Sequence, residues 1–137
     1  EYDPQILAIQ TGQKLEVRNS DPTLHNVDIQ PTDTSGNKGE NQAQLPGSAP
    51  LTFSFSHPEM FMKFKCDVHP WMFAWVSVFD HPYVAVTDNY GKYTVKNVPD
   101  GKYTLAVYHR KFAPTGQTAQ VEVKGGTVTQ NFTLETK

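Results

Sequence analysis

The chain has a single cysteine, Cys66, among its 137 residues, so no internal disulfide can staple it and cysteine counting assigns no compartment. No apolar run approaches the roughly 20 residues that a helix needs to cross a bilayer. Charge is sparse at 19% of residues, with 12 basic against 14 acidic side chains and a net charge of −2. Apart from Lys63/Lys65 and Arg110/Lys111 the basic residues are scattered, which leaves no electrostatic footprint for a nucleic acid. Helical periodicity is missing too, because β-branched residues or breakers interrupt every stretch long enough to show it.

What the chain does contain is aromatic bulk and even punctuation. Eight Phe, six Tyr and two Trp make up 12% of it, enough to fill a compact β core, and the low charge argues against disorder. Nine Gly and ten Pro separate short stretches rich in Val, Thr, Tyr and Phe. That spacing predicts an all-β sandwich or barrel, with strands near 5–10, 13–19, 24–30, 50–56, 61–66 and 73–80, then 83–87, 91–96, 102–109, 117–124 and 127–135. The stretch 31–49 is polar and does not alternate, so it is expected to be a functional excursion or a mobile loop. A change of character near Asp80-His81-Pro82 divides the chain into parts 1–80 and 81–137. In the second part Asp88-Asn89-Tyr90-Gly91 and Pro99-Asp100-Gly101 are turns whose glycines supply φ > 0. Each leads into a strand beginning Lys-Tyr-Thr, and Gly125-Gly126 predicts a third hairpin. A meander this small is expected to need packing against the first part.

The chemistry concentrates in one run, Cys66-Asp67-Val68-His69-Pro70-Trp71-Met72. A soft thiolate, an imidazole and a thioether spaced C-x2-H-x2-M favour copper over hard cations. His25, within Asn19-Ser20-Asp21-Pro22-Thr23-Leu24-His25-Asn26, completes a His2Cys set with a weak axial Met, the donor set of an electron-transfer copper site. Pro70 helps to fix the bend that brings Met72 towards the metal of His69. Zinc binds the same Cys and His residues but rarely recruits a thioether. A Cys–His nucleophile is disfavoured, since no oxyanion helix is evident and a Met adds nothing to acyl transfer; the chain is not expected to be an enzyme. His57 and His81, each before Pro, read as turn residues, and His109 as a hydrogen-bonding group at a strand end. Met60 and Met62 read as alternating strand positions. Phe73 and Trp75 share a face and are expected to pack in the core or between domains. Glu59 is a spare oxygen donor that Met72 makes unnecessary.

Residues 19–26 and 64–76 resemble the cupredoxin family of type 1 blue copper proteins, with the short amicyanin-like ligand loop rather than the longer plastocyanin or azurin spacing. The resemblance covers roughly residues 1–80. It implies a Greek-key cupredoxin β-sandwich holding one type 1 copper on His25, Cys66 and His69, with Met72 axial, and one-electron transfer as the function. It also implies that Asn26 hydrogen-bonds across to the Cys loop and that a redox protein partner docks near His69, Pro70 and Trp71. The second part, through Val86-Thr87-Asp88-Asn89-Tyr90-Gly91-Lys92-Tyr93 and Val98-Pro99-Asp100-Gly101-Lys102-Tyr103-Thr104-Leu105, is similar to carboxypeptidase regulatory-like (transthyretin-like) β-sandwich modules. The two parts together resemble bacterial plastocyanin-like or methylamine-utilisation-type proteins. Such proteins are exported, which implies the bacterial periplasm or the outer surface and association with a larger membrane or surface assembly. A start at Glu1 without an initiator Met fits processing or trimming, with any export signal already removed. The first part lacks a leading strand before Tyr2, which leaves room for one from the second module or another chain. Two other functions stay open at this point: holding or delivering copper without redox turnover, and serving as a structural subunit of an extracytoplasmic assembly.

Overall fold

The computed structural model describes residues 1–136 and is all-β, with no helix among the described residues. None, therefore, is long and apolar enough to cross a membrane. The strands are β1 (Ile6–Gln10), β2 (Leu15–Val17), β3 (His25–Gln30), β4 (Glu40–Gln44), β5 (Leu51–Phe53), β6 (Glu59–Lys65), β7 (Phe73–Phe79), β8 (Gly101–His109) and β9 (Ala113–Val123). The chain divides into two compact units, Glu1–Thr94 and Val95–Lys137.

The first unit has two layers. A five-stranded sheet in the order β1-β7-β6-β3-β4 faces a two-stranded ribbon of β2 and β5. All its pairings are antiparallel except β1 with β7. Alternation puts Val27 and Ile29 of β3, Met62 and Phe64 of β6, and Ala74, Val76 and Val78 of β7 on one face, where they are buried with Ile9, Phe53 and Phe55. Leu15, Val17 and Leu51 of the ribbon close the other side of this core. Phe64 lies at its centre, with the Phe53 and Phe55 rings edge-on at 6.2 and 6.1 Å, the arrangement that aromatic quadrupoles favour. Phe73 and Trp75 do share a face, but it is the one opposite the core: both are half-buried, and the Lys63 ammonium lies over their rings at 5.8 and 5.6 Å.

The polar stretch 31–49 is not a plain loop. Its residues 40–44 form β4, which pairs with β3 along its length, His25 opposite Gln44 and Ile29 opposite Glu40. As an edge strand it is exposed at every position except Gln44, so it carries none of the apolar alternation that marks a strand in sequence. The preceding turn is anchored by the buried Glu59 carboxylate, which accepts hydrogen bonds from the Thr32 backbone N–H at 2.8 Å and Asn37 Nδ2 at 3.2 Å. A β-bulge follows between Glu59 and Met62. There Phe61 adopts φ 51° and donates its N–H to Ser77 Oγ at 2.9 Å. The simple alternation expected for Met60 and Met62 is broken at this point: Met62 is fully buried and Met60 half-buried.

The second unit is built on one long hairpin of β8 and β9. Strands expected at 83–87, 91–96 and 127–135 are not formed. Before the second unit begins, at the end of the first, Asp88 instead closes a turn, its Oδ1 accepting the Tyr90 and Lys92 N–H groups. Along 130–134 the alternation survives, with Gln130, Phe132 and Leu134 half-buried and Asn131 and Thr133 exposed, yet no ladder forms. Alternation reports which side chains face inward, not whether another backbone lies in register. At the Gly125-Gly126 turn the Gly125 N–H is capped by Asp100 Oδ1 at 2.9 Å. Gly116 is required in β9: its φ is +88°, and a Cβ there would meet the Tyr108 ring at 2.8 Å.

Candidate metal centre

The site is built from two places in the first unit. His25 opens β3. Cys66, His69 and Met72 lie on the connection between β6 and β7, whose ends are held in register by the Lys65–Phe73 pair. The connection is tied shut by its own backbone: the Cys66 N–H donates to the Met72 carbonyl at 3.1 Å and the Met72 N–H to the His69 carbonyl at 2.9 Å. Cys66 is fully buried and His25 and Met72 nearly so, whereas His69 is half-buried.

His25, Cys66 and His69 converge into one group able to hold a metal ion. The two Nδ1 atoms are 3.0 Å apart, and Cys66 Sγ lies 3.8 Å from each. A trigonal ion with zinc-type bonds of about 2.0 Å to nitrogen and about 2.3 Å to sulfur would separate its nitrogens by about 3.5 Å and each nitrogen from the sulfur by about 3.7 Å. The observed triangle is within about half an ångström of that, so the three donors stand close to the separations one ion needs. Met72 lines, together with His25, a small cavity of about 90 Å³ beside the group.

Polar side chains around the triangle fix its orientation. His25 Nε2 donates to Asp21 Oδ2 at 2.8 Å, which leaves Nδ1 facing the sulfur. Asn26, the next residue, makes the cross-tie to the Cys loop expected from the resemblance: its Oδ1 accepts the Asp67 N–H at 2.7 Å, the Val68 N–H at 3.4 Å and the Cys66 thiol at 3.4 Å. Its Nδ2 donates to Asn41 Oδ1 and Asp67 Oδ2, and Asn41 Nδ2 donates to the same Asp67 oxygen. β3, β4 and the ligand loop are thus locked by one amide–carboxylate cluster. Lys65 adds an ion pair to Asp67 at 3.2 Å.

These contacts set the charges. Burial opposes ionisation of Cys66, but the backbone N–H groups of Asn26 and His69 and the two imidazoles outweigh it and bring the thiol down to about 7 from 9.0. For His25, burial likewise disfavours the charged ring, and the hydrogen bonds to Asp21 and Cys66 overcome it, raising its pKa. The bond from His25 holds Asp21 below the usual carboxylate range, and Asn41, Asn26 and Lys65 do the same for Asp67. Burial, reinforced by the Cys66 and Asp28 charges, pushes the Tyr2 hydroxyl up to about 12.

The remaining histidines stand apart from the cluster. His57 is exposed and donates its backbone N–H to Asn37 Oδ1 at 3.2 Å. His81 Nδ1 accepts the Tyr83 N–H, and His109 Nδ1 those of Lys111 and Phe112. Sequence reasoning missed Asp21, Asn41 and Asp67. Asp21 and Asp67 lie within the runs that carry the ligands, which was their only signal; Asn41 had none.

Residues 69–135 match the carboxypeptidase regulatory-like domain family, so the match starts inside the ligand loop and stops at residue 135, within the second unit. No curated protein and no solved structure matches the chain.

Proposed function

We propose that the protein passes single electrons through one type 1 copper held by Cys66, His25 and His69, with Met72 as the weak axial donor. The observation that carries this reading is the triangle of Cys66 Sγ with two imidazole Nδ1 atoms, preformed at 3.0 and 3.8 Å and backed by hydrogen bonds between His25 and Asp21 and between Cys66 and Asn26. Bound copper supplies a one-electron couple, and such a couple exchanges fastest in a site that barely changes shape. The chain's own groups favour that rigidity. The Asn26–Asn41–Asp67 cluster pins the loop, and Cys66 and Met72 are held in the buried interior. Met72, buried and lining the same cavity as His25, offers a thioether, a donor that favours copper over zinc.

An entry path for electrons is also supported. His69 is half-buried with the Trp71 ring 5.2 Å away, and Trp71 is 65% exposed, with Leu24 and Val68 also open to solvent. A redox protein would dock on this apolar rim around His69 and Pro70. The cupredoxin resemblance of residues 1–80 agrees with the reading and suggests the bacterial periplasm or cell surface. No bond chemistry on a substrate belongs to this reading.

The test is one equivalent of Cu(II) added to the metal-free protein, followed by visible and paramagnetic spectra. Intense thiolate-to-copper charge transfer is expected in the parent and should vanish in Cys66→Ser. A folded parent without that band would overturn the proposal. Uptake with the band but without electron exchange with a cytochrome would replace transfer by copper holding.

A further inference from the structure

We infer that Asp21 is a positioning residue for the metal centre: it fixes which nitrogen of His25 faces the ion and places a negative charge behind that ligand. The inference rests on the copper reading above. A ligating imidazole has two nitrogens, and the hydrogen bond at one decides the role of the other. Here Asp21 Oδ2 accepts a hydrogen bond from the Nε2–H at 2.8 Å, so the Nδ1 lone pair is the one turned towards Cys66 and His69.

The carboxylate is held in place by a turn shaped for it. Asn19 Oδ1 accepts the Asp21 N–H at 2.9 Å, while Asn19 Nδ2 donates to the Thr23 carbonyl at 2.9 Å and to the Gln44 carbonyl at 3.1 Å. Asn19 thereby clamps residues 19–23 against the end of β4, and Gln44 is itself buried and bonded to the Val17 carbonyl at 2.7 Å. The two imidazoles are unequal as a result. Among the described residues, Asp21 is the only carboxylate in ion-pair range of either ring, and His69 instead lies beside the Trp71 indole. An anion behind one ligand strengthens that ligand and favours the more highly charged metal, so Cu(II) gains more than Cu(I).

Asp21→Asn tests this on the full chain, because the amide keeps an acceptor oxygen of the same size and removes only the charge. The side chain is half exposed, so the metal-free variant should keep the parent's circular dichroism. Cu(II) affinity is expected to fall about 10–100-fold and Cu(I) affinity less. Each tenfold difference between the two losses raises the reduction potential by about 59 mV. Asp21→Glu should recover part of both. If the parent binds copper and Asp21→Asn matches it in affinity and potential, the inference alone is overturned. Equal losses for both ions with an unchanged potential overturn it as well, since a merely structural contact would behave so. A folded parent that takes up no copper overturns this inference together with the reading beneath it.

Discussion

Cys66 and His25 respond to pH in opposite directions. The thiol's pKa is depressed from 9.0 to about 7, so its contribution to stability is fully present above 9.0 and is lost as pH falls through 7. The pKa of His25 is raised, so its contribution is complete below its ordinary 6.5 and is lost as pH rises past its folded value. In the metal-free protein, the ultraviolet absorbance of the thiolate should titrate with a midpoint near 7, returning towards 9.0 in urea. A midpoint at 9.0 in the folded state would contradict the hydrogen bonding described. Metal uptake must displace both protons, so affinity should climb with pH across the same interval. Much of this centre was legible in sequence because donor type is a local property: the Cys66–Met72 run and His25 announce soft ligands wherever the chain takes them. Asp67 and Asn41 were not legible, since a polar residue near a loop has no period to betray its partner 26 positions away.

Strands were legible where one face is buried. Residues 25–30, 62–65 and 73–76 alternate because the core takes every second side chain, and the expectation falls close to the strands that contain them. β4 escaped because an edge strand whose side chains are nearly all in water leaves no hydrophobic trace. The opposite error occurred at 83–87, 91–96 and 127–135, where β-prone residues lack a ladder partner. The β6 bulge was invisible for a third reason: nothing in Glu59-Met60-Phe61-Met62 marks the left-handed φ at Phe61, which normally calls for Gly or Asn. Ser77 Oγ stabilises that conformation by accepting the Phe61 N–H. Ser77 is buried, so Ser77→Ala should leave the amide unpaired and cost about 1–3 kcal/mol. Urea denaturation would read this as a lower midpoint at constant slope; an unchanged midpoint would mean that water replaces the hydroxyl.

The two units differ in what holds them together. Glu1–Thr94 contains the whole of the aromatic and aliphatic core and every residue of the candidate centre. Among its described residues Val95–Lys137 has a single buried hydrophobic side chain, Ala113, on a two-stranded ribbon, and isolated ribbons are marginal in water. A 1–94 fragment is therefore expected to unfold cooperatively on heating and to retain copper uptake, while a 95–137 fragment should show no cooperative transition. A 1–94 fragment that binds no copper, or a 95–137 fragment that melts sharply, would reverse this assignment of stability. The complete burial of Cys66 has one more consequence. A lone sulfhydryl ionised near neutrality would, on an open surface, be the first atom to be alkylated or to cross-link two molecules in air. Sealed beneath its neighbours, it can stay nucleophilic towards an ion small enough to slip in while remaining out of reach of bulkier oxidants.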